Sequence, residues 1–217
     1  MEIIKNKIYY HIQRQKRWEL GQRHFFGLHE NEYCAFFNDN AHNYEDKNTR
    51  KVFSLPTIME AMVNYLETGE RDPLLDPYFS FDSLDTIKLM RKVIMNYSRY
   101  IREFLFEEVR KEHFPTYPSR KNGIWVISKR EHIAYWINTL GVDEKGVVYE
   151  VELTGKIHEA NHMSIKLSTN SFNGIRQQAY KYWLTDSSDL VESKIGDECI
   201  FEGFLTVKSI HDINEFC

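Results

Sequence analysis

The chain has few cysteines: Cys34, Cys199 and Cys217 are odd in number and widely separated. That spacing suits neither a secreted disulfide scaffold nor a paired zinc site, so the thiols are expected to be reduced, as in the cytosol. Proline and glycine are sparse, at five and ten, and no low-complexity segment, internal repeat or long linker demands a second domain. No apolar run approaches membrane-spanning length, and Met1 to Ile8 leads straight into a strand pattern, so no export signal or membrane anchor is expected. The nine histidines form no HExxH pattern and no close pair backed by cysteines, so no metal is expected. A GxSxG elbow and a phosphate-binding glycine loop are also missing, which removes the commonest hydrolases and nucleoside triphosphatases. A net charge of −4 gives no global drive toward nucleic acid, so any such contact needs a local patch.

What is present is a core-forming chain of 217 residues, 42% hydrophobic and 14% aromatic. Ile8 to Ile12 and Arg23 to Phe26, the latter following Gly21, read as strands. Residues 38–50 are rich in Asn and Asp and read as a loop suited to a mobile lid. A helix starts near Pro56 and closes at Gly69, and a proline-broken connection follows it. Asp82 or Ser83 caps the next helix, whose Ile87, Met90, Ile94, Tyr97, Ile101, Leu105 and Val109 recur at steps of three and four. They form a core-facing stripe about eight turns long. The other face carries Arg99, Arg102, Glu103, Glu107, Arg110 and Lys111, expected to be mostly solvated. Further on come a strand over Ile124–Ile127, a helix from Arg130 to Leu140 ended by Gly141, and an alternating strand over Val147–Leu153. A helix near Phe172–Trp183 follows, then a strand pair, Glu198–Phe201 and Phe204–Val207, broken by a turn or bulge at Gly203. Without βαβ alternation, the expected class is α+β, in one domain spanning 1–217.

The segment Phe114-Pro115-Thr116-Tyr117-Pro118-Ser119-Arg120 stops the long helix at two prolines that withhold donors and force extended geometry. Such a stiff corner holds a hydroxyl and a guanidinium toward a cleft; its plainer reading is a helix-to-strand connection with a solvated arginine. His11 sits in the first strand beside two tyrosines, placed to meet a ligand or simply satisfied within the sheet. Glu198 follows the turn Ile195-Gly196-Asp197 and leads a strand, a position that can aim a carboxylate into a cleft. The helix after the corner carries Tyr135-Trp136.

The run REFLFEEVRKEHFPTYPSRKNGIWVISKREHIAYW, followed by VVYEVELTG and DECIFEGFLTV, resembles a poorly characterised bacterial family of the ADP-ribosyltransferase superfamily. YYHI is similar to the histidine-bearing strand of its His-Tyr-Glu branch, and the likeness spans Ile8 to Val207. It implies an ADP-ribosyltransferase-like split β-sandwich with a helical insertion at about 55–113, between the early strands and the central strand. It also implies NAD as donor substrate. His11 then meets the NAD ribose, Ser119 and Arg120 contact NAD, Tyr135 or Tyr117 stacks on nicotinamide, and Glu198 is the catalytic acid with Glu202 its rival. The ExE pair of arginine-modifying toxins is lacking, so a protein arginine acceptor is not implied. In such chemistry the carboxylate stabilises an oxocarbenium-like state while an arginine fixes the pyrophosphate.

The function implied is transfer of ADP-ribose to an intracellular macromolecule by a cytoplasmic bacterial toxin of a toxin-antitoxin or phage-defence system, with an antitoxin protein as partner. Arg110, Lys111, Arg120, Lys121, Lys129 and Arg130, interleaved with Tyr117, Trp125 and Trp136, tilt the acceptor toward nucleic acid, RNA included, over protein. A charged helix end beside an ordinary aromatic core is the alternative reading of those residues. Two other functions remain open: a catalytically silent module that binds a nucleotide or a partner on the same fold, and an NAD-using enzyme that removes a phosphate from RNA.

Overall fold

The computed structural model describes residues 1–35, 43–46, 49–78, 83–161, 171–184 and 197–216. The chain is α+β and divides into two compact units, Met1–Asn31 with Glu103–Cys217, and Glu32–Arg102. The lid residues 38–42 and 47–48, the Asp82 and Ser83 side chains, the turn at Ile195-Gly196, and Cys217 lie outside what is described.

The first unit is built on an antiparallel sheet. β1 (Glu2–Gln13) pairs with β6 (Val147–Asn161), and β6 pairs along its length with β7 (Asp197–Asp212). The free edge of β7 takes β2 (Arg23–Phe26) and then β5 (Ile124–Val126). One residue beyond β5, Ile127 exchanges two backbone hydrogen bonds with Tyr10 of β1, at 2.9 and 2.8 Å. The sheet therefore curls until its edges meet. Tyr9, Tyr149, Val151, Leu153, Cys199, Phe201, Leu205 and Val207 form one core cluster with Trp18 inside that curl. On the outer face, α3 (Ile133–Leu140) packs Ile133, Trp136 and Ile137 against Val148 and Ile213. A short 3-10 turn, Arg130–His132, leads into α3, and Gly141 ends it in the left-handed region at φ 58°.

The expected break in the last strand is a close backbone crossing within one continuous strand. Gly203 of β7 faces Gly155 of β6. A Cβ at Gly155 would lie 2.1 Å from the Glu202 carbonyl oxygen, and one at Gly203 would lie 2.5 Å from that of Thr154. Only glycines allow the two backbones this approach.

The second unit contains a hairpin of β3 (Asn43–Glu45) and β4 (Val52–Ser54), then α1 (Leu55–Thr68), which has proline in its first turn and left-handed Gly69 at its end. α2 (Ser83–His113) contributes its turns up to Arg102 to this unit and its last turns to the other. Leu55, Ile58, Ala61, Met62, Leu75, Leu89 and Val93 form the core here. The expected stripe is thus displaced along the first half of α2: Ile87 and Ile94 are 62% and 60% exposed, while Leu89 and Val93 face inward. Further along α2, Leu105 and Val109 are buried as expected, but so are Glu103 and Glu107, which the sequence pattern assigned to solvent.

Candidate functional site: a buried acid–guanidinium–phenol assembly

In the last turns of α2, Leu105, Phe106 and Val109 are buried on one arc of the helix that continues into Glu103 and Glu107, while Phe104 on the other side is 54% exposed. Acids that fall within a buried arc become interior groups that need partners. α4 (Phe172–Leu184) covers this region, its Trp183 Nε1 donating to the Phe106 carbonyl at 2.9 Å.

The proline corner is stiffened from the helix side. Arg110 grips Glu107 bidentately, Nε to Oε2 at 3.0 Å and Nη2 to Oε1 at 2.8 Å, and its Nη1 donates to the Tyr117 carbonyl at 3.0 Å. Ser119 Oγ donates to Glu107 at 3.0 Å, and the Ser119 N–H donates to Glu202 at 2.8 Å. Asn31 ties down the other side through its Nδ2, 2.7 Å from the Arg120 carbonyl and 2.9 Å from that of Gly123. The corner thus lies between α2 and β7, with both prolines free of donor obligations.

Arg120 points inward and is 2% exposed. Its Nε donates to Glu103 at 2.7 Å and its Nη2 to the other oxygen of that carboxylate at 3.2 Å. Nη1 contacts Glu198 and also donates to the Tyr182 hydroxyl at 2.9 Å. The Tyr182 hydroxyl in turn donates to Glu198 at 2.8 Å, closing a ring of contacts around one guanidinium and two carboxylates. The rings of Tyr182, Phe106 and Trp125 surround the guanidinium carbon at 5.0, 5.6 and 5.7 Å. Burial works against the Arg120 charge, but Glu103 and Glu198 more than offset it and raise its pKa well above the usual value. Burial, followed by the Glu198 charge, raises that of the Tyr182 phenol, which stays a neutral donor.

Next to this assembly is a histidine that stays uncharged. His158 is 1% exposed, its Nε2 lies 3.0 Å from the Tyr182 carbonyl, and its Nδ1 has no hydrogen-bond partner among the described residues. Burial pushes its pKa down to about 4 against the support of the Tyr182 carbonyl. Tyr117 is half-buried and packs on the His158 ring at 5.2 Å.

Of the residues singled out from sequence, Ser119, Arg120 and Glu198 are brought together, and Tyr117 borders them through His158. Glu202, the rival acid, holds the corner backbone instead of meeting Arg120. His11 stands apart. It faces Tyr149 in the β1–β6 register, stacks on Trp18 at 4.9 Å, and pairs its Nδ1 with the Trp125 carbonyl at 2.8 Å. Tyr149 and Trp18 belong to the inner core, whereas Glu198 alternates with inward-facing Cys199. His11 and Glu198 therefore occupy opposite faces of the sheet. Tyr135 is packed with Trp136 against the α3 core, a different cluster. In this structure Arg120 directs its donors to Glu103, Glu198 and Tyr182. In the basic patch, Arg110 is likewise held by Glu107, Lys121 pairs with Glu30, and Arg130 lies over the Phe216 ring at 4.8 Å.

Sequence reasoning missed Glu103, Glu107, Tyr182 and His158. Glu103 and Glu107 read as solvated because their four-residue spacing equally suits a surface face with i,i+4 pairing. Tyr182 and His158 carry no local signal, since both are defined by α4 settling on β6.

Chemically, the assembly fixes the Glu198 carboxylate in one orientation through a guanidinium and a phenol in a water-poor setting. Among the described residues, no three His, Cys, Asp or Glu side chains converge as a metal would require, and no helix is long and apolar enough to cross a membrane. No curated protein matches the chain. A family model described as a protein of unknown function, DUF2441, matches residues 9–215, and the chain belongs to that family.

Proposed function

We propose that the chain is an NAD-dependent ADP-ribosyltransferase in which Glu198 is the catalytic carboxylate and Arg120 and Tyr182 are positioning residues that fix it. The supporting observation is the convergence of the Ser119-Arg120 corner with the glutamate-led strand: Arg120 and Glu198, 78 positions apart, share one buried contact. These two segments also carry the sequence resemblance. The reading includes the split β-sandwich, with the first unit supplying its strands and residues 55–113 its helical insertion. It further includes a cytoplasmic toxin role with an antitoxin partner and a macromolecular acceptor, nucleic acid favoured over protein.

In this reaction the bond between nicotinamide nitrogen and ribose C1 breaks, and nicotinamide leaves with the bonding electrons. An acceptor oxygen or nitrogen then bonds C1 and gives up its proton to a base. Glu198 stabilises the positive charge that develops on the ribose, an electrostatic contribution worth roughly two to three orders of magnitude in turnover. In the present conformation Glu198 is 6% exposed, so donor binding must open a path to it.

That same closure favours a second reading, a catalytically silent binding module in which the assembly only braces α2 and α4 against β7. Incubation with NAD labelled in the adenylate moiety separates the two. The enzyme reading expects label on RNA, DNA or protein together with release of nicotinamide, and at least a hundredfold loss in Glu198→Gln. Wild-type protein that binds NAD or a partner without transfer or nicotinamide release supports the silent module, and full activity in Glu198→Gln rejects the acid assigned.

A further inference from the structure

In the second unit, α1 and the first turns of α2 each leave an apolar strip in solvent, and the charges beside the two strips have opposite signs. On α1, Val63 and Leu66 are 52% and 60% exposed, and Val63 lies between Glu60 and Glu67 on the same helix face. α1 contains no lysine or arginine. On α2, Ile87, Met90 and Ile94 are 62%, 41% and 60% exposed. Arg91 stands one turn from both Ile87 and Ile94, and Lys88, Lys92, Arg99 and Arg102 share this stretch with Asp85 as its single acid. Glu60, Glu67 and Arg91 form no ion pair among the described residues. A groove of about 700 Å³ lies along the two helices, lined by Pro56, Met59, Glu60, Val63, Glu67 and Tyr97 among others.

We propose that this helical face is a homodimer interface in which the acidic-edged strip of α1 lies against the basic-edged strip of α2 in a second copy of the chain. A two-fold axis makes each contact twice, because α1 of either copy meets α2 of the other. Both apolar strips are then covered and both charged edges compensated, which no single-copy arrangement of these two exposed faces achieves. Packing α2 on α2 would set basic residues against basic residues, so the pairing is selective as well as apolar. The exposed apolar side chains follow the three- and four-residue spacing of a helix seam that packs on a partner.

The test is sedimentation velocity of the full chain, with circular dichroism to verify folding. Wild-type protein is expected to dimerise in the micromolar range. Glu60→Lys with Glu67→Lys, and separately Lys88→Glu with Arg91→Glu, each set like charges across both contacts and weaken the dimer at least tenfold. Mixing the two variants restores opposite charges at both contacts, so heterodimers re-form at near wild-type affinity. A wild-type chain that stays monomeric at 100 micromolar overturns the proposal and leaves the face to an acidic amphipathic segment of another protein. A dimer indifferent to both variants, or failure of the mixture to re-form it, overturns it as well.

Discussion

The two halves of α2 follow opposite rules. Its early turns leave Ile87 and Ile94 in solvent, while its last turns enclose Glu103 and Glu107. Hydrophobicity along the helix does not separate these halves; enclosure does. Where α4 and the proline corner pack on the helix, carboxylates go inside because Arg120, Arg110 and Ser119 meet them there. In the second unit only one side of the helix is taken up by that unit's core, so isoleucines remain on the surface.

The sharpest way to break this comparison is to remove the central cation. Arg120→Met leaves Glu103 and Glu198 buried without it, with an expected cost of about 3–5 kcal/mol in urea unfolding. An unchanged urea midpoint would show that water reaches these acids. Arg120→Lys is expected to recover only part of the loss, because an ammonium cannot reproduce the fork that spans Glu103, Glu198 and Tyr182.

Next in size is the pH dependence carried by His158. Its pKa is about 4 when folded and 6.5 when free, so the unfolded chain binds the proton first as pH falls. Stability is level above pH 6.5 and declines between pH 6.5 and 4 by roughly 3 kcal/mol. A His158→Gln variant should lose that part of the slope, and an identical slope in variant and wild type would refute the neutral buried imidazole.

Removing the phenol hydroxyl is a smaller disturbance. Tyr182→Phe deletes the group that accepts from Arg120 and donates to Glu198, at about 1–2 kcal/mol. The solvent half of α2 supplies the smallest effect. Ile94→Ala, measured at protein concentrations well below those of any self-association, should shift unfolding by about 0.5 kcal/mol or less, against about 2–5 kcal/mol for Leu105→Ala. Equal costs at the two positions would erase the contrast between the halves.

Much of the framework was legible from local signals. Pro56 and Gly69 bracket α1, Gly141 ends α3, and the β-branched and aromatic runs give β1, β5, β6 and β7. The Ser119-Arg120 corner was legible too, because its prolines stop a helix whatever surrounds it. The partners of Arg120 were not. An arginine after a turn reads as solvated until a carboxylate one helix away and another on a distant strand approach it, and nothing in the local pattern of Glu103 or Glu198 announces that approach. The face of α2 turned inward was likewise illegible, since apolar residues ring enough of the helix for Leu89 and Val93 to compete with Ile87 and Ile94.

By itself the sequence determined where backbone conformation must change, because proline, glycine and side-chain branching act on their own neighbours through sterics and hydrogen-bonding capacity. Only tertiary structure decided which charges became interior, which histidine stayed neutral and which apolar strip remained in water. Those outcomes depend on desolvation and pairing between groups many positions apart, and each energy has no value until the chain has brought the groups together.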